Sequence, residues 1–167
     1  QIVDADALLE LAEASDAVIR IERPPGAYVS KGTPLAAVSP PARRTDELDG
    51  RLRNAFVLGN QRTATQDVVF PLHELVEIAL RALSPGVNDP FTAIACIDRL
   101  GSALVRFAGR AMPSPCRFGW NDQLRVVAPA LSFRELVDQS FDQIRQNSRG
   151  IPAVTIRLLE TLASVAG

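Results

Sequence analysis

Residues 71–107 read PLHELVEIALRALSPGVNDPFTAIACIDRLGSALVRF. Two helices and the turn between them are written in this stretch. Leu72, Leu75, Val76, Ala79, Leu80 and Leu83 recur at three- and four-residue steps and so line one helical face. They predict a helix over about 70–83. Pro71 is tolerated only near its start, where an amide N–H has no intrahelical acceptor to lose. Ser84-Pro85-Gly86 stops that helix. Asp89 supplies a capping oxygen and Pro90 presets the first turn of the next helix. That helix runs to about 107, with Ile94, Ile97, Leu100, Gly101 and Leu104 inward.

Further along, residues 109–115 form a Gly/Pro/Ser loop. Two short apolar runs, Cys116–Trp120 and Leu124–Val127, flank Asn121-Asp122 and predict a hairpin near 116–127. Ser132 and Glu135 make a capping box, a reciprocal pair that satisfies the free amides at a helix start. Phe133, Leu136, Val137, Phe141 and Ile144 continue that helix. Arg149-Gly150 ends it, and Pro152 opens a last helix to about 165.

Before the opening stretch, Asn60 to Asp67 is polar, has no period and reads as a loop. Thr45 caps an expected helix over about 46–58, with Leu48, Leu52, Phe56 and Val57 inward and Gly59 at its C-terminal end. Residues 4–15 read as a short amphipathic helix capped by Asp4 or Asp6. Ala17–Glu22 alternates apolar and polar into Pro24-Pro25-Gly26, a strand entering a turn. Tyr28-Val29, a turn at Lys31-Gly32 and a strand at Leu35–Val38 complete this part. The expected organisation is a small α+β subdomain over 1–41 and a helical domain with one hairpin over 42–167. The fold class is α+β, mostly helical.

Composition narrows the function classes. A net charge of -1 leaves no basic excess for nucleic acid, and 5% aromatics are too few for a base-stacking platform. A chain of 167 residues buries roughly 70% of its unfolded surface and folds without metal or disulfide. One His and two Cys, without ligand spacing, argue against zinc, and no cofactor is implied. Cys96 and Cys116 read as small buried hydrophobes. No nucleophile elbow, Walker A loop or Gly-x-Gly-x-x-Gly is present, so no catalytic residue is assigned. The chain starts at Gln1 and holds no run of about 18 apolar residues. It reads as a fragment of something longer.

The candidate ligand-binding residues are Arg62, Thr63, Gln66 and Asp67 in the polar loop, His73, Glu74, Glu77 and Arg81 on the following helix, and Asn88 and Asp89 in the turn. Glu74, Glu77 and Arg81 share one helical face. As a polar cleft, these groups would suit a small ligand, or acid–base work by Asp67, His73, Glu74 and Glu77 on a small or lipid-derived substrate. The plainer reading is a solvated face with a Glu77–Arg81 ion pair. Backbone amides opening the helix after Asn88 would suit an anion, which the Asp89 carboxylate would oppose. The turn is otherwise helix punctuation, which accounts for each of its residues except Asn88.

Two resemblances add to this. The pattern GAYVSKGTPLAAV, Gly26 to Val38, resembles half of a biotinyl/lipoyl-type barrel-sandwich hybrid. Lys31 falls in a different turn from the modified lysine of such units, so the resemblance implies a β module and not a carrier. The segment QRTATQDVVFPLHELVEIALRALSPGVNDPFTAIACIDRLG, together with GTPLAAV and FDQIRQNSRG, resembles the predicted bacterial membrane proteins called domain of unknown function 2254. Members carry several transmembrane helices ahead of this region. The resemblance implies a C-terminal domain on the cytoplasmic side of the bacterial inner membrane, with the membrane-spanning part of the same chain as partner. It brings no catalytic residues. The expected role is a regulatory or assembly domain, homo-oligomeric, with gating or small-ligand sensing as its finer form and an enzyme as the alternative.

Overall fold

A computed structural model describes residues 2–167. The elements in chain order are β1 (Ile2–Val3), α1 (Ala5–Ala14), β2 (Val18–Ile21), β3 (Ala36–Ser39), α2 (Asp46–Asn54), β4 (Phe56–Val57), α3 (Val69–Ala82), α4 (Pro90–Ala108), β5 (Cys116–Phe118), β6 (Leu124–Val127), α5 (Phe133–Asn147) and α6 (Pro152–Ala166). The architecture is α+β and mostly helical. No helix among the described residues is long and apolar enough to cross a membrane.

The chain forms two compact units. The first comprises the residues up to Asp67 together with Pro113–Ala130; the second comprises Val68–Met112 and Leu131–Gly167. The division therefore falls after Asp67, not after residue 41, and the hairpin belongs with the N-terminal elements. The reason is a sheet in the order β3-β2-β6-β5. Strand β2 pairs antiparallel with β3, from Val18↔Ser39 to Ile21↔Ala36. On its other edge β2 pairs parallel with β6, Ile19↔Val126 and Arg20↔Val127. A parallel partner so distant in sequence leaves no local trace in either segment.

In the first unit, Asp4 caps α1 by accepting the Ala7 N–H at 3.0 Å. Helix α1 buries Leu8, Leu11 and Ala12 against Ile19, Ile21 and Val126 of the sheet and Leu48 and Leu52 of α2. Thr45 caps α2 as expected. That helix ends at Asn54, four residues earlier than the sequence pattern implies, and Gly59 does not terminate it. Phe56-Val57 is drawn instead into a two-stranded ladder with β1, Val3↔Phe56 and Ile2↔Val57. Phe56 is buried as its apolarity requires; Val57 faces outward. Tyr28-Val29 lies in the β2–β3 connection and forms no strand. The hairpin turn places Asn121 and Asp122 at φ 60 and 58, the left-handed region that Asn and Asp tolerate best after Gly. Its tip is held on α1, because Glu13 Oε1 accepts the Trp120 N–H at 2.8 Å. Cys116 on β5 is half-buried, whereas Cys96 is buried; both are free thiols.

The second unit is four helices. Helix α4 packs on both α3 and α6, and α3 packs on α5. Ile97, Leu100 and Leu104 of α4 are fully buried, each contributing roughly 1.5–3 kcal/mol over an exposed position. Gly101 on the same face meets Thr161 of α6 so closely that a Cβ there would overlap the threonine methyl. A mid-helix glycine costs about 1 kcal/mol in propensity against alanine, and here it lets α6 approach. The capping box at α5 is formed in both directions.

Candidate functional site

The polar loop 60–67 closes on the first unit through two side chains. Gln66 completes a backbone edge: its Oε1 accepts the Val3 N–H at 2.8 Å and its Nε2 donates to the Val3 carbonyl at 2.9 Å. Asp67 is 6% exposed, and Arg62 forks onto its Oδ2 through Nε at 2.9 Å and Nη2 at 2.6 Å. A buried carboxylate needs such a charged donor to offset desolvation. Gly26 holds φ +82, and a Cβ at that position would occupy the same space as the Asp67 carboxylate. The carboxylate thus sits on bare backbone and latches the β2–β3 connection to the end of the loop. A cavity of about 230 Å³ lies beside this latch, lined by Gly26, Tyr28, Leu58, Asn60 and Arg62 among others. Thr63 is exposed.

The remaining candidates stand in the second unit. Glu74, Glu77 and Arg81 are exposed on α3 and His73 is half-buried. The i,i+3 and i,i+4 ion pairs of the described residues lie on α5 and α6, so Glu77 and Arg81 are not paired. Asp89 caps α4: its carboxylate accepts the Thr92 N–H at 3.1 Å and the Thr92 hydroxyl at 2.6 Å. The Thr92 hydroxyl and amide hold the Asp89 carboxyl below its ordinary pKa. Asn88 takes φ 48 and donates its N–H to the Ser84 carbonyl at 2.9 Å. The residue without a role in the sequence is therefore the one the turn needs, since Asn adopts left-handed backbone at little cost.

The structure brings Arg62 and Asp67 together and ties the Gln66 side chain to Val3 of β1. Asn88 and Asp89 shape the α3–α4 turn. An acid–base role for Asp67 would require a carboxylate open to substrate, and Arg62 holds this one. No group of three or more His, Cys, Asp and Glu among the described residues is placed to hold a metal ion.

A larger cavity of about 560 Å³, marked by no sequence motif, lies in the first unit. Its floor is Leu35, Leu52 and Phe56; its rim carries Arg44, Asp49 and Arg53. Arg44 forks onto Asp49, with Nη2 to Oδ2 at 2.7 Å and Nε to Oδ1 at 3.0 Å. The Arg44 hydrogen bonds and charge hold Asp49 below the usual carboxylate range, and Arg53 adds to the effect. The legible signal was spacing: Asp49 and Arg53 are four apart on α2 and so share a face. The second wall, the start of β3, is brought by the sheet.

The class of structure is a two-unit α+β chain, one unit helical and one built on a mixed sheet. The chain belongs to the family described as "Predicted membrane protein (DUF2254)", whose model matches residues 1–164. It is 36% identical over 171 residues to an uncharacterised protein of Mycobacterium bovis, and 36% identical to one of Mycobacterium tuberculosis. Each match covers 99% of this chain and 33% of the relative, so the chain spans about a third of the length of these relatives. No solved structure matches.

Proposed function

We propose that this chain is the assembly or regulatory domain of a membrane protein, acting through contact between copies of itself. One observation carries the reading: α6 is apolar on two faces and covered on one. Val154, Leu158, Thr161 and Val165 are buried in the helical unit. Ile156, Leu159, Ala163 and Ala166 recur at helical spacing on the other side, and Ile156 and Leu159 are 56% and 63% exposed. A helix apolar on both sides needs a second packing partner. A second copy fits this face, because large residues lie at one end of the stripe and alanines at the other. Antiparallel pairing about a two-fold axis then sets large side chains against small ones. The family is one of predicted membrane proteins; on this reading the domain assembles or regulates a membrane portion, with gating or ligand sensing as the finer form.

Size-exclusion chromatography with light scattering tests this directly. The chain is expected to run as a dimer or larger, and Leu159→Glu or Ile156→Glu to run as a monomer with an unchanged circular dichroism spectrum. A wild-type monomer at high concentration would overturn the contact between copies.

A further inference from the structure

The 560 Å³ cavity of the first unit has the make-up of a ligand site. Its volume lies within the roughly 300–1,000 Å³ typical of small-molecule pockets. Leu52 and Phe56 are buried, and with the half-buried Leu35 they form an apolar floor. At the rim, two guanidinium groups face one carboxylate. Asp49 is taken by Arg44. Arg53 makes no hydrogen bond or ion pair among the described residues, yet lines the cavity. Asp46 is near enough for Arg44 to feel its charge but does not line the cavity. Thr33, half-buried on the same rim, is engaged locally with Ser30 and shapes the wall. The lining therefore carries two guanidinium groups to one carboxylate, a net positive rim above an apolar floor.

We propose that this cavity binds a small anionic amphiphile, a carboxylate or phosphate monoester with a short apolar part. Arg53 pairs the anionic head, with the outer edge of the Arg44 guanidinium as a second donor. The apolar part lies on Leu35, Leu52 and Phe56. A guanidinium suits this task because it stays charged and offers parallel N–H donors to two oxygens of one anion. The same headgroup chemistry can come from a free phosphate monoester or from phosphatidic acid, the phospholipid whose head is a monoester, at a membrane surface. The proposal does not depend on contact between copies, since it uses none of the α6 residues.

The test is calorimetric titration of the chain with octyl phosphate, octyl glucoside and inorganic phosphate, beside flotation with vesicles of phosphatidic acid in phosphatidylcholine. Octyl phosphate is expected to bind and octyl glucoside, which has the same tail without charge, to bind much more weakly. Arg53→Ala removes an exposed side chain and leaves the fold intact, and is expected to weaken octyl phosphate by about tenfold or more, the worth of one charge-assisted hydrogen bond pair. Flotation with anionic vesicles that Arg53→Ala abolishes would assign the headgroup to lipid; binding of the soluble ester alone would assign it to a free monoester. Binding of neither octyl phosphate nor the anionic vesicles, or binding unchanged by Arg53→Ala, would overturn the proposal.

Discussion

The two units of this chain are built on opposite plans. The helical unit is held by apolar faces that recur along each helix, and its polar groups serve mainly caps, turns and the Arg157–Asp98 ion pair between α6 and α4. The sheet-bearing unit gathers strands from both ends of its sequence and closes on specific polar contacts: Gln66 on Val3, Glu13 on Trp120, Arg62 on Asp67 against Gly26. Periodic apolar burial is tolerant, because a slightly different side chain still fills most of the space. A carboxylate seated on a bare glycine is not. The comparison teaches that stability is spread in one unit and concentrated in the other.

That contrast can be broken at its most concentrated point. Gly26→Val forces a β-branched residue into a left-handed backbone and drives a side chain into the Asp67 carboxylate. A loss of roughly 3 kcal/mol is expected, from backbone strain and from displacing the buried ion pair. Hydrogen exchange resolved by peptide should show the loss in residues up to 67 and in 113–130, while α3 to α6 keep their protection. Equal loss of protection in both units would mean that they unfold as one and would end the comparison.

A smaller effect is expected at the tightest point of the helical unit. Gly101→Ala places a methyl against the Thr161 methyl. Overpacking costs about 1–3 kcal/mol, and the gain in helix propensity, about 1 kcal/mol, offsets part of it. Combined with Thr161→Ala the space is restored, so the double variant should be at least as stable as the wild type. Urea denaturation of the four proteins gives the coupling. Additive losses would show that α6 does not approach α4 through Gly101.

The smallest effect separates caps from core by pH. Backbone and side-chain hydrogen bonds from Ser132 hold the Glu135 carboxyl below its ordinary 4.5. A carboxylate with a depressed folded pKa stabilises fully above its unfolded value, and that contribution is lost as pH falls through the folded one. Glu135→Gln should therefore lower the melting temperature slightly at neutral pH and make no difference once the wild-type carboxyl is protonated. A gap that persists in acid would show that the charge of Glu135 plays no part in the cap.

The helical unit was legible because its information is local. The stripes at 72–83 and 94–104, the Ser84-Pro85-Gly86 stop, the Asp89-Pro90 start and the Ser132–Glu135 box each act within a few residues. The end of α2 is not legible, because Phe56 and Val57 suit helix and strand alike and pairing with Ile2-Val3 decides between them. Of the candidate site, Arg62 and Asp67 were legible as polar residues in a loop, but not as partners with Gly26. Arg44, Asp49 and Arg53 look like an ordinary charged helix face until the start of β3 is placed opposite.

The sequence by itself determined the mostly helical α+β class, the helix caps at Thr45, Asp89 and Ser132, the family and the absence of catalytic motifs, since all of these follow from residue type and short spacing. Tertiary structure alone decided that the hairpin joins β2, that the units divide after Asp67, and that an apolar-floored cavity opens under Arg53. The physical reason is range. A helical face or a cap is settled by neighbours within two turns, whereas a parallel strand pair, a carboxylate seat on a distant glycine and a cavity wall exist only once remote segments of the chain have met.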